Sequence, residues 1–433
     1  MRPKYHFAPI EGYMGDPNGL VYYKGLYHLF YQHRVDFSLE KVWGPFFWGH
    51  ATSPNLIDWT EKEQAFPIEK GINAFSGSGI VDYNNISGLK EGEDDPILLF
   101  WTEVEMYTTK TYAIRLSYST DGGNTFSIHP KKLIEVPDAP GGICCDRDPM
   151  VIFHRETGKF ILVFYGEYYS KSKKPSFVIF SSEDIFNWEY ESEIPSLFEC
   201  ADIMELPVQN TEEKKWVFID APGDYMVGDF DGHKFIPCQD IIRPERNMPN
   251  YACQSWKYEG KVIQTGVTLM PKFKGERWQQ QMTFPVELGL KKVDDKYLLT
   301  KTPIEVPKEL VYEANNIRAR DINSLMMDNL ETCEIDIEAI WNPWTSLSLF
   351  TYSGIVSFEF FREQVLCGCA FPLKEAEKVK IKIFVDRTSM EVFANDTIFI
   401  PLPKREDWTC EKFKTETFLD RDVLIENIRI YKI

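Results

Sequence analysis

Long apolar runs, an excess of basic residues and the short cofactor motifs are all missing from this sequence. No stretch approaches the ~18 to 20 consecutive apolar residues of a membrane span, and the opening Met1-Arg2-Pro3-Lys4-Tyr5-His6 has no apolar signal-peptide core. Lys and Arg number 48 against 66 Asp and Glu, a net charge of −18. That balance argues against nucleic acid or an anionic membrane as main partner and leaves neutral ligands open. H-E-x-x-H, Walker A and G-x-G-x-x-G do not occur, so no metal, nucleotide or other cofactor is expected. The nine cysteines are odd in number, and neither Cys144-Cys145 nor Cys367-Gly368-Cys369 has the paired spacing of a zinc site. They read as free thiols of a reducing compartment. A cytoplasmic location is therefore expected for the chain as given, and a periplasmic or secreted one if a signal peptide has been trimmed.

Helical periodicity is scarce as well; what is abundant is aromatic and turn-forming residues. The 433 residues include 11 Trp, 21 Tyr and 31 Phe, with 26 Gly and 26 Pro, a mixture that favours strands and tight turns. The length suits two or three domains. Leu20 to Tyr23, Lys24-Gly25, then Leu26 to Tyr31 reads as a hairpin. Met150 to Phe153 before Phe160 to Tyr165 reads as a second, and Trp256 to Tyr258 before Val262-Ile263 as a third.

An internal repeat lies on top of these hairpins. Ser53-Pro54-Asn55 before Trp59, Ser119-Thr120-Asp121 before Phe126 and Ser182-Glu183-Asp184 before Trp188 share one plan, with copies 66 and 63 residues apart. A second series, Asp16-Pro17, Phe75-Ser76-Gly77, Asp148-Pro149, Glu199-Cys200 and Asn250-Tyr251, marks five starts within about the first 290 residues. The expected fold is all-β: a five-bladed β-propeller over residues 1–298, in which equivalent positions of successive blades face one axis. Past a Pro-punctuated stretch, Lys378 to Val385 alternates charged and aliphatic residues as a strand with one wet face does. Residues 299–433 are expected to form a C-terminal β-sandwich.

Three of the blade starts carry carboxylates: Asp16, Asp148 and Glu199. Asp16 precedes Pro17-Asn18-Gly19, a turn that would fix it at the end of an apolar strand. Asp148 follows Arg147, a cation able to keep neighbouring carboxylates ionised. Glu199 lies between Phe198 and Cys200, an apolar flank that would raise its pKa if buried and suit it to a general acid. One ionised and one protonated carboxyl is what cleavage of a glycosidic bond requires. Trp43, Trp48 and Phe75 offer flat apolar faces to a sugar, and Gln32, Ser76 and Arg147 offer hydrogen bonds to its hydroxyls.

Tyr13-Met14-Gly15-Asp16-Pro17-Asn18-Gly19, Phe75-Ser76-Gly77-Ser78, Asp146-Arg147-Asp148-Pro149 and Phe198-Glu199-Cys200 resemble, in order and spacing, the signature blocks of glycoside hydrolase family 32, the invertases, inulinases and levanases. Gly228-Asp229-Phe230-Asp231-Gly232 and Val385 to Phe393 extend the resemblance over nearly the whole chain. The resemblance implies a retaining β-fructosidase acting on sucrose, fructooligosaccharides or fructans. Asp16 would be the nucleophile, Glu199 the general acid/base and Asp148 the transition-state stabiliser, with the Asp16 and Glu199 carboxyls roughly 5 to 5.5 Å apart. Two positions depart from the family pattern: Gly15 stands where an Asn is usual, and Asn250 where an Asp often precedes Tyr-Ala. Rival readings are an inverting arabinan or xylan hydrolase, with carboxyls roughly 6.5 to 9.5 Å apart, and a sugar-binding propeller whose site has lost activity.

Overall fold

The computed structural model describes residues 2–35, 46–69, 71–105, 112–136, 146–243, 250–322, 327–328, 330–340, 345–360, 364–367, 369–372, 378–408, 410, 412–418 and 423–433. Strands dominate, and the one α-helix among the described residues is a single turn, Ala319–Ile322. No helix there is long and apolar enough to cross a membrane.

Five antiparallel sheets follow one another along the chain, each opening with an inner strand: Gly12–Tyr23, Ile72–Val81, Arg147–His154, Asp202–Pro207 and Asn250–Tyr258. The hairpins are made by the turns read from the sequence. Lys24 and Gly25 have φ of 47° and 83°, and Glu259 and Gly260 have 48° and 79°, the paired positive values of the turn that matches strand twist. The Ser-x-Asx repeat is a set of Asx turns leading into the outer strands: the side-chain oxygen of Asn55 accepts Ile57 and Asp58 N–H, Asp121 accepts Asn124 and Thr125, and Asp184 accepts Phe186 and Asn187. Asp231 does the same for His233 and Lys234 in the fourth blade. The ring closes where Trp278–Gln279 pairs in parallel with Gly12 and Tyr13 of the first blade.

Blade-to-blade packing explains the aromatic content. Val21, Phe30, Trp48 and Phe66 of the first blade pack with Leu99 and Trp101 of the second, all buried. Phe100 and Leu116 meet Phe160, Phe164 and Phe180 of the third. Gly77 allows the closest backbone approach, since a Cβ there would lie 1.9 Å from the Phe100 carbonyl oxygen.

The last blade strand, Lys296–Pro303, pairs with Val286–Val293 over its whole length and so passes through residue 298. We propose that the division between the two units lies in residues 304–308, after that strand. Beyond it, two six-stranded sheets face each other around Ile335, Ile337, Leu347, Phe358, Ile381, Val392 and Ile428. Lys378–Val385 turns Val379, Ile381 and Ile383 into this core, while Lys378 and Lys382 pair outward with Glu338, Glu334 and Asp336. Phe384 and Phe393 instead meet the propeller, where Phe384 stacks on Phe284 at 4.2 Å. Beside them His6 is clasped by Asp386 and Glu391, all three buried.

Candidate active site

The blade starts are irregular by construction. Register shifts, the mark of β-bulges, fall between Met14 and Pro17, Phe75 and Gly77, Arg147 and Met150, and Tyr251 and Gln254. A bulge breaks the in-out alternation and re-aims a side chain, and these bulges hold Asp16, Ser76 and Asp148. The fourth blade reaches the same place through a turn just before Asp202–Pro207. Asp148, Glu199 and Cys200 have φ of 61°, 49° and 42°, a left-handed conformation that costs non-glycine residues of order 1 to 3 kcal/mol and persists only where surroundings enforce it.

Residues from all five blades converge there. Ser76 Oγ donates to Asp16 Oδ2 at 2.6 Å, and the Cys200 thiol lies 3.7 Å from the same oxygen. The Arg147 guanidinium bonds Glu199 Oε1 and stands 3.4 Å from Asp148 Oδ2. Tyr251 OH donates to Glu199 Oε2 at 2.8 Å. Below this layer, Asn18 accepts Gly77 N–H at 3.0 Å and donates to the Asp16 carbonyl at 3.1 Å, and Thr102 Oγ1 accepts Asp148 N–H at 2.9 Å. The backbone at Asp16 is thus tied to the second blade, and so is that at Asp148.

Three acids sharing one guanidinium set the electrostatics. Burial pushes the Asp16 carboxyl up to about 6, against the hydrogen bond from Ser76 and helped by the Glu199 charge. Burial pushes Asp148 up to about 7; Arg147 opposes the shift, and Glu199 and Asp16 add to it. Arg147 is held in its charged form, since the charges of Asp148 and Glu199 outweigh the effect of its burial. Burial, then the Glu199 charge, drives the Tyr251 phenol upward, so it remains a donor. The result is a cluster of one buried carboxyl held by Ser76, a second hydrogen-bonded by Arg147 and Tyr251, and a third balanced by the same cation.

Most residues singled out from sequence meet here, with exceptions. Gln32 lies against the Gly15 backbone: a Cβ at position 15 would be 2.8 Å from Gln32 Oε1. Phe75 is half-buried beside Val104, Tyr112 and Val136. Trp48 is fully buried between Phe30 and Phe66, and its indole N–H is spent on the Phe75 carbonyl at 3.1 Å. It has no free face for a sugar; the blade core claims it. Trp43 lies outside the described residues. The apolar flank expected around Glu199 is also absent: Phe198 is 41% exposed and packs edge-on against Tyr165, and the carboxyl is gripped by Arg147 and Tyr251. Tyr251 and Cys200 are the contacts the sequence reading passed over, although both stand at blade starts where a bulged or turned residue faces the axis.

Asp148, Glu199 and Cys200 present ligand atoms all within 4.8 Å of one another, the one group of metal-binding type among the described residues. Arg147 already occupies the two carboxylates, so a cation would have to displace it.

A family model, that of the glycosyl hydrolases family 32 N-terminal domain, matches residues 6–303, the stretch that ends with the last blade strand. A levanase from Bacillus subtilis is 30% identical over 91% of this chain, which spans 65% of that relative's length. An extracellular exo-inulinase from Aspergillus awamori is 26% identical over 90% of this chain and 87% of its own. Among solved structures, a β-fructofuranosidase from Schwanniomyces occidentalis complexed with fructosyl-erythritol superposes with a TM-score of 0.84 at 22% identity, covering 100% of this chain and 97% of that one; at that identity the likeness speaks for the propeller-plus-sandwich fold. The family match takes in every bulge that carries a carboxylate, and the chain accordingly belongs to glycosyl hydrolase family 32.

Proposed function

We propose that this chain is a retaining β-fructosidase that hydrolyses terminal or internal β-D-fructofuranosyl linkages of sucrose, fructooligosaccharides or fructans. The carrying observation is the meeting of Asp16, Asp148 and Glu199 from three blades, with Arg147 on the last two and Ser76 and Cys200 on the first. Asp16 attacks the anomeric C2 of the fructosyl unit while Glu199 gives a proton to the departing glycosidic oxygen. In the second half Glu199 takes a proton from water, the hydroxyl oxygen bonds C2, and the ester to Asp16 breaks. Asp148 and Gln32 hold fructose hydroxyls, and Asp148 stabilises the oxocarbenium-like charge. The names of the levanase, the exo-inulinase and the fructosyl-bound fructofuranosidase support fructosides as substrates. Family membership takes the place of the arabinan or xylan reading.

Product analysis on sucrose, inulin and levan tests the assignment. Fructose is expected from at least one of them, and Asp16→Asn and Glu199→Gln are each expected to lower the rate by at least ~100-fold with the fold intact. Undiminished turnover in either variant, or release of pentose from arabinan, would sink the assignment. A cytoplasmic location, or a periplasmic or secreted one if a signal peptide has been trimmed, belongs to the same proposal; the free thiols at Cys200, Cys238, Cys253, Cys333, Cys367 and Cys410 favour the first, and fractionation of cells and medium decides between them.

A further inference from the structure

Glu199 sits in a turn that its own sequence does not favour. It and Cys200 are consecutive non-glycine residues with positive φ, so something outside the turn has to hold it. The holder is the loop after the second strand of the fourth blade, Lys214–Ile219. Asp220, 2% exposed, accepts Phe198 N–H with Oδ2 at 3.0 Å and, with Oδ1, Gly223 and Asp224 N–H at 3.0 and 2.8 Å. One residue on, Ala221 N–H is shared between the Phe198 and Glu199 carbonyls, both at 3.1 Å, and the Ala221 carbonyl accepts Ala252 N–H of the fifth blade. Ala252 follows Tyr251, whose hydroxyl reaches Glu199 Oε2. The Glu199 peptide is therefore gripped from both sides by a loop folded around one carboxylate.

We propose that Asp220 is a positioning residue for the reaction: by bridging the Phe198 amide to its own turn it fixes the direction of the Glu199 carboxyl relative to the leaving oxygen. The inference rests on the acid/base role proposed for Glu199. Burial, and next the charge of Asp224, push the Asp220 carboxyl up to about 7. Asp224 is in turn 3.3 Å from Arg243. Perturbed buried acids of this kind concentrate around functional sites.

Replacement by Asn keeps the size but turns an NH2 toward one set of N–H donors, so one side of the bridge opens. Misaimed acids penalise alcohol leaving groups, which need the proton, far more than nitrophenolate, which does not. For Asp220→Asn, kcat/KM on sucrose is expected to fall on the order of 10- to 100-fold. On p-nitrophenyl β-D-fructofuranoside it should stay within about 3-fold. Circular dichroism reports whether the variant is folded; if it is not, Asp220→Glu, which keeps the charge but displaces it by one methylene, is measured the same way. Equal losses on both substrates, or no loss on sucrose, overturns the positioning role. Glu199→Gln is the control: a leaving-group split there without one at position 220 refutes only the role of Asp220, whereas no split at Glu199 refutes the acid/base reading beneath it.

Discussion

Replacing Asp386 with Asn should weaken the junction between propeller and sandwich while leaving the carboxylate cluster untouched. Asp386 has no exposed surface. Its Oδ1 accepts Lys4 N–H at 2.8 Å and Arg387 N–H at 2.7 Å, and its Oδ2 accepts Tyr5 N–H and His6 Nδ1 at 2.8 Å. The other His6 nitrogen faces Glu391 at 3.2 Å, and Glu391 also takes Phe284 N–H at 3.1 Å on each oxygen. An Asn amide presents donors to donors on one of those sides and removes the charge opposite His6. Breaking a buried, hydrogen-bonded pair by removing one partner costs about 3 to 5 kcal/mol. With an unfolding entropy of about 2.1 cal/mol/K per residue over the whole chain, that corresponds to a Tm lowered by about 3 to 6 °C.

The pH dependence gives the same experiment a second reading. Burial alone would lower the His6 pKa, but the Glu391 charge and the hydrogen bonds to Asp386 and Glu391 raise it from 6.5 to about 10. A raised pKa contributes stability that is complete below 6.5 and disappears as pH climbs through about 10. The gap in Tm between wild type and Asp386→Asn should therefore be full at pH 6 and narrow above about pH 10. Thermal melts by circular dichroism at fixed scan rate measure both. Melting within about 1 °C of wild type at neutral pH would refute the claim that this cluster holds the two units together.

Two further outcomes follow from the active-site geometry. As the proposed nucleophile, Asp16 has to be ionised, and burial pushes its carboxyl up to about 6, so kcat/KM should fall roughly tenfold per pH unit below that value; a flat profile down to pH 4 would contradict the nucleophile assignment. Gly15→Asn should raise KM on sucrose several-fold, on the order of 1 kcal/mol of binding, because any Cβ at that position lies 2.8 Å from Gln32 Oε1 and 3.1 Å from Gln32 Cβ and must push that side chain away. An unchanged KM would show that Gln32 takes no part in binding fructose.

How much of this was legible beforehand differs from residue to residue. Lys24-Gly25 and Glu259-Gly260 announced their hairpins because the turn type demands positive φ at both positions, and the Asx repeat announced its blades through local hydrogen bonding alone. Asp16, Asp148 and Glu199 were legible because radial repetition carries equivalent positions to one axis. Trp48 has the sequence spacing of a sugar platform, because aromatic residues beside a site and aromatic residues between blades are spaced alike; its packing between Phe30 and Phe66 distinguishes them. Asp386 and Glu391 were seen as part of a sandwich block, yet their partner His6 lies about 380 residues away, a pairing that no local pattern encodes. The environment of Glu199 is equally hidden from local sequence: Phe198 and Cys200 are its neighbours in the chain, whereas Arg147 and Tyr251 are its neighbours in space.

The central claim is that Asp16 forms a covalent bond to the fructosyl unit. Wild-type enzyme mixed with sucrose, quenched in acid within milliseconds and digested should yield the peptide containing Asp16 heavier by about 162 Da, one fructosyl residue. Glu199→Gln should accumulate more of that adduct when given p-nitrophenyl β-D-fructofuranoside, whose departure needs no acid while its hydrolysis still needs a base. An adduct on a different residue, or none at all with inverted fructose as the first product, would contradict the account.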